Sequence, residues 1–155
     1  MGQGIVIIGV GNPLCSDDGL GIHFVRRFQS LEDNLPPGVE IFDGGTGGLD
    51  LLPLMQGKRR VIFVDAMDAG EEPGYIFRFR PEQLTLEAHP EISVHDVDMA
   101  SLLRTARLTE DYPDEVIIFA VQVKRVDLGQ ELSSPVKRAL DRVVDLVLQE
   151  LKGER

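Results

Sequence analysis

The sequence predicts one α/β domain over residues 1–155, a three-layer doubly wound sandwich with helices on both faces of a mainly parallel sheet. That sheet has about five strands, one of them an antiparallel edge strand. Three observations lead there. Short unbroken apolar runs recur along the chain, as expected of strands buried on both faces. Segments with apolar residues at helical spacing alternate with them. Gly, Pro and Asp punctuate the joins, and no repeat, low-complexity tract or long linker divides the chain.

In order, Ile5-Val6-Ile7-Ile8 is the first strand, closed by Gly9. Residues 21–28 put Ile22, Val25 and Phe28 on one helical face and Arg26 and Arg27 outward, with Asp17 and Asp18 supplying negative charge at the start. Pro36-Pro37-Gly38 breaks the chain before a second strand at 39–42. A glycine-rich turn leads to a short helix at 49–55, and a third strand at 61–64 ends at Asp65. Residues 75–79 alternate aromatic residues with Ile and Arg, the pattern of an edge strand with one wetter face. Residues 96–108 are helical through Val97, Leu102, Leu103 and Leu108. The longest β-branched run, 116–123, is the last strand, and 135–151 form an amphipathic helix on Val136, Leu140, Val143, Val144, Val147 and Leu151.

Composition narrows the function. A net charge of −10 argues against a nucleic-acid partner, which needs Lys and Arg to neutralise phosphates. The basic cluster Lys58-Arg59-Arg60 reads as a solvated loop edge. The single cysteine, Cys15, cannot close an internal disulfide, so nothing calls for an oxidising compartment. The first apolar run is too short for a signal core or a membrane span. These features predict a cytoplasmic enzyme or binding protein with no membrane partner.

The loop Gly9-Val10-Gly11-Asn12-Pro13-Leu14 follows a strand and precedes a helix, where a dinucleotide fingerprint would lie. Leu14 occupies the place of the third glycine, and Asp17 and Asp18 would repel a pyrophosphate at that helix start. No nucleotide cofactor is expected. The loop suits a cation or proton transfer instead, or plain helix capping, with Ser16 or Asp17 as the cap.

Three strand ends carry acids, and open α/β sheets bind ligands at the carboxyl ends of their strands. The first leads to Asp17 and Asp18; the second ends in Asp43-Gly44-Gly45-Thr46-Gly47-Gly48; the third ends in Asp65. That glycine turn lets backbone approach an extended peptide or another strand, or is simply a flexible strand-to-helix connection. Asp65 follows a buried strand and needs a hydrogen bond, cation or metal as partner. Of the three histidines, His23 lies about 140° around its helix from Asp18 at roughly 100° per residue, which disfavours a shared ligand. His89 has no evident task, and His95 immediately precedes the helix beginning near Asp96. Two carboxylates plus an imidazole, with open positions, make a recognisable site for a borderline metal. No histidine is placed by sequence to activate Cys15 as a nucleophile.

Four ordered blocks then resemble the hydrogenase-maturation peptidases: Gly9-x-Gly11-Asn12-x-Leu14-x-x-Asp17-Asp18-x-x-Gly21, Asp43-Gly44-Gly45-Thr46-x-Gly48, Val64-Asp65-Ala66 and Ser93-x-His95. The late segment Val126-Asp127-Leu128-Gly129, leading to Leu132-Ser133-x-x-Val136, extends the match. The resemblance implies an endopeptidase whose partner is the precursor of a [NiFe]-hydrogenase large subunit. Such enzymes remove its C-terminal tail after nickel insertion. It also implies that the family's metal-contacting residues fall on Asp18, Asp65 and His95, with nickel presented by the substrate.

On that reading Asp43 or Asp17 is the general base, and Asn12, Gly44, Gly45, Thr46 and Gly47 contact the substrate. Whether the metal trio catalyses the cut or only recognises loaded substrate stays open. Two rival functions have different expectations. A nickel-sensing or nickel-delivery chaperone would bind metal without cutting. A peptidyl-tRNA-hydrolase-like esterase, which shares the Gly-x-Gly-Asn-Pro turn, would need a histidine-asparagine pair and a basic face.

Overall fold

A computed structural model describes residues 3–31, 35–83 and 94–152, the side chains of 94–98 excepted. The five strands are β1 (Ile5–Gly9), β2 (Val39–Asp43), β3 (Arg60–Met67), β4 (Ile76–Phe79) and β5 (Glu115–Gln122). They form one sheet in the order β2-β1-β3-β5-β4. β1 pairs in parallel with both β2 and β3, β3 pairs in parallel with β5, and only β4 runs antiparallel, at the edge. The predicted fold class is therefore the observed one. The chain leaves β1 for β2 on one side and returns for β3 on the other, so the sheet has a topological switch point between β1 and β3.

Alternation along the strands sorts two cores. Ile5, Ile7, Ile62, Val64, Ile117, Phe119 and Val121 face α1 (Leu20–Gln29) and α4 (Ser134–Lys152). Val6, Ile8, Val61, Phe63, Val116 and Ile118 face α2 (Leu52–Met55) and α3 (Val94–Arg107). Each fully buried Val, Ile or Phe contributes about 1.5–3 kcal/mol, which is why short apolar runs suffice to fix the sheet. α4 buries the six apolar positions its periodicity marked out, and Ala139 as well.

Several local expectations change. β3 does not stop at Val64: β5 is equally long, and pairing continues to Met67 opposite Gln122, so Asp65 lies inside a strand opposite Ala120. α3 begins at Val94, which puts His95 in its first turn rather than before it. The buried stripe of α3 is Met99, Leu102, Leu103 and Ala106; Leu108 lies beyond the helix end and is 88% exposed. Neither Ser16 nor Asp17 caps α1, because a buried 3-10 turn, Ser16–Gly19, precedes it and Gly19 is the N-cap, with no side-chain bond.

The basic cluster is not a solvated edge. Lys58 pairs with Glu40. Arg60 is buried at the start of β3, 2.6 Å from Glu115 and 2.9 Å from Glu150. Arg80 joins Glu115 at 2.7 Å, and Arg78 joins Glu150. Burial works to raise the Glu150 carboxyl, but hydrogen bonds from Arg78 and Arg60 outweigh it and hold the group below its ordinary value. These pairs tie the amino-terminal edge of the sheet to the far end of α4.

Candidate active site

The carboxyl edge of the sheet at the switch point gathers most of the predicted residues. Gly9, the last residue of β1, stands level with Asp43 of β2 and Val64 of β3. The chain past β1 stays attached there: Val10 N–H donates to the Val64 carbonyl at 2.9 Å, and Gly11 N–H to the Gly45 carbonyl at 2.7 Å. Gly11 has φ 150°, and a Cβ on it would sit 2.0 Å from the carbonyl oxygen of Asp18. The loop can fold over the turn that bears Asp18 only because that residue is glycine.

Asp18 is 9% exposed, and its Oδ2 accepts the Asn12 N–H at 3.1 Å. The Asn12 side chain in turn accepts the Leu14 N–H at 3.0 Å, so its work is to shape the loop. The 3-10 turn containing Asp18 lies against β3. Asp65, 2% exposed, accepts the N–H of Ala66 at 2.8 Å. It alternates with Phe63 and so points to the α2–α3 side.

His95 approaches that same side through its backbone. Arg107 at the end of α3 pairs with Glu82 at 2.6 Å, and Arg80 pairs with Glu115 at the start of β5. The end of α3 therefore lies at the amino-terminal edge, and its first turn, with His95, lies toward the carboxyl edge. The His95 side chain is outside the described residues, as are His89 and Ser93. Among the described residues no three His, Cys, Asp or Glu side chains cluster closely enough to hold a metal ion.

Asp43 closes β2, exposed, with its Oδ1 accepting the Gly45 N–H at 2.8 Å. The turn beyond it needs positive φ at Gly45, Gly47 and Gly48, and a Cβ at Gly45 or Gly48 would meet nothing within 4 Å. Those two glycines serve the backbone path, not close packing within the chain. Thr46 is exposed on the same turn.

Asp17 departs from its expected role. It is fully buried, and its carboxylate accepts four hydrogen bonds: Lys124 N–H at 2.8 Å, Arg125 N–H at 3.0 Å, and Ser133 N–H and O–H, both at 2.7 Å. A carboxylate so enclosed is an anchor and not a general base. Sequence reasoning gave Ser133 no role, since a bond spanning 116 residues leaves no local pattern. Gln122 was missed for the same reason. Its buried amide accepts Ala69 and Glu71 N–H and donates to Asp68, which holds the loop after β3.

His23 sits half-buried on α1, away from these acids. Burial, then the neighbouring Arg26, lowers its pKa, partly offset by a hydrogen bond to the Gln130 backbone, and its Nε2 is buried without a partner. Cys15 is half-buried and makes an isolated bridge with Gly129.

Fold and site together define a doubly wound α/β domain with a carboxylate-lined site at its switch point, where such sheets bind their ligands. Comparison narrows the class. The hydrogenase maturation protease family model matches residues 22–150. The Escherichia coli hydrogenase 2 maturation protease is 30% identical over 96% of this chain and 90% of its own length. The hydrogenase expression/formation protein HupD of Rhodobacter capsulatus is 29% identical over 96% and 71%. Among solved structures, the hydrogenase maturating endopeptidase HybD of Escherichia coli superimposes with a TM-score of 0.83 at 28% identity, covering 97% of this chain and 93% of that one.

The chain belongs to the hydrogenase maturation protease family. Family membership makes it a peptidase and sets aside the esterase alternative. Among the described residues no helix is long and apolar enough to cross a membrane.

Proposed function

We propose that this peptidase removes the C-terminal extension of a [NiFe]-hydrogenase large-subunit precursor, in the cytoplasm, after nickel has been inserted. The observation that carries the proposal is the switch-point arrangement: Asp18 on the turn after β1, Asp65 within β3 and the first turn of α3 all lie toward one edge. Two carboxylates and an imidazole suit a borderline ion such as nickel. Asp18, Asp65 and His95 would grip the nickel that the substrate carries, so a precursor without it docks poorly.

Asp43 is the general base in this reading, because it is exposed at the same edge and free to take a proton from the attacking water. The turn Gly44-Gly45-Thr46-Gly47 offers backbone to the extended tail of the substrate, while Asn12 acts indirectly by holding Asp18.

The test is to incubate the protein with nickel-loaded and nickel-free precursor and weigh the products. Loss of the C-terminal peptide in the loaded sample alone is the expected result. Metal binding without cleavage would point to a nickel-delivery chaperone, and equal cleavage of both precursors would remove nickel from recognition.

A further inference from the structure

The geometry points to Asp17 as a positioning residue that sets Asp18, by clamping residues 124–133 onto the loop after β1; this rests on the proposed role of Asp18. The clamp is built from both sides. The Asp17 carboxylate gathers Lys124, Arg125 and Ser133 through the four bonds described above, while its own N–H donates to the Arg125 carbonyl at 3.0 Å. Ser16 adds its N–H to the Gly129 carbonyl at 2.8 Å and its Oγ to the Asp127 carbonyl at 2.8 Å. Gly129 N–H returns to the Leu14 carbonyl at 2.9 Å.

The position is strained and held. Ser16 has φ 51°, the only non-glycine residue with positive φ among the described residues. Such backbone persists only where its surroundings over-determine it. Asp17 follows it directly, and Asp18 follows Asp17, so the anchored carboxylate fixes where the next side chain leaves the chain. One readout of that placement is the bond from Asn12 N–H to Asp18 Oδ2. A carboxylate suits the task because it accepts from several N–H groups at once and donates to none. An amide in its place would turn an NH2 group toward at least one of those donors.

Two variants test the assignment, Asp17→Asn and the milder Ser133→Ala, with Ser133→Thr as the conservative control. Hydrogen exchange in the intact protein should show the Asn12 amide losing about tenfold or more of its protection in Asp17→Asn, with the sheet amides of Ile7 and Ile117 unchanged. On the nickel-loaded precursor KM should rise roughly tenfold or more with kcat within about threefold, since a misplaced Asp18 grips the substrate's nickel less well. Ser133→Ala should show smaller changes in both, and Ser133→Thr should reverse them.

Unchanged Asn12 protection in a folded variant overturns the assignment, and so does lost protection with unchanged KM. If Asp17→Asn does not fold, Ser133→Ala decides by the same two readouts. If the wild-type protein fails to cleave, the proposed function falls while the Asn12 exchange still tests the clamp.

Discussion

The two edges of the sheet hold their carboxylates in opposite ways. At the amino-terminal edge, Glu115 and Glu150 are matched to the guanidinium groups of Arg60, Arg78 and Arg80. At the carboxyl edge, Asp17, Asp18, Asp43 and Asp65 each accept main-chain N–H groups. An arginine neutralises a carboxylate, whereas a peptide N–H orients it and leaves its net charge in place. The amino-terminal edge is thereby braced, while on the proposed reading Asp18, Asp43 and Asp65 at the other edge meet a cation or a proton and Asp17 holds the loop. On that reading the contrast runs between residues that brace the fold, Asp17 among them, and residues that carry the proposed chemistry.

Breaking the carboxyl edge should cost function first. Asp18→Asn keeps shape and its accepting oxygen but removes the charge, so cleavage of the loaded precursor should drop by about a hundredfold or more, a loss on the order of 3 kcal/mol of transition-state stabilisation. The melting temperature should hardly move; a variant that cleaves normally would remove Asp18 from the site. Breaking the opposite edge should reverse the pattern. Arg60→Ala leaves Glu115 and Glu150 without their shared cation, and urea unfolding should show a loss of about 3 kcal/mol. The folded fraction should still cleave at the wild-type rate.

Acid sharpens the contrast. The folded Glu150 carboxyl titrates below its unfolded value, so its contribution is present above the unfolded pKa and is lost as pH falls through the folded one. Glu150→Gln should flatten that part of a melting curve series between about pH 5 and pH 3. His23 belongs to neither edge and responds earlier. Its folded pKa is lowered by burial, so the unfolded chain takes up the proton first and stability falls as pH drops below about 6.5. His23→Gln should remove that loss, as melting at pH 7.5 and pH 5.5 would reveal. The smallest effect is expected at Cys15: Cys15→Ser should change kcat by less than about twofold, the outcome for a thiol that takes no part in the chemistry.

The sheet was legible from sequence because each strand carries its own apolar run, and α1 and α4 because their stripes keep helical spacing. What failed had no local cause. The acid at position 65 interrupts an apolar run, yet β5 extends the pairing past it. Arg60 looked solvated because its neighbours are basic, but its partners lie 55 and 90 residues away (115 − 60 and 150 − 60). Asp17 and Asp18 are adjacent and chemically identical, and only the fold separates them, enclosing one and leaving the other at the edge of the site. Among the candidate site residues, spacing alone made Asp18 and Asp65 reasonable ligands, while His95 was raised mainly by the family pattern.

The clamp on Asp17 also bears on how the molecule comes into being. Its partners at 124, 125 and 133 lie 107–116 residues downstream, so β1 and its loop leave the ribosome long before anything can hold them in place. Until that later segment emerges, the bonds that hold Asp17 cannot form. The acidic turn is completed only when residues 124–133 have joined it.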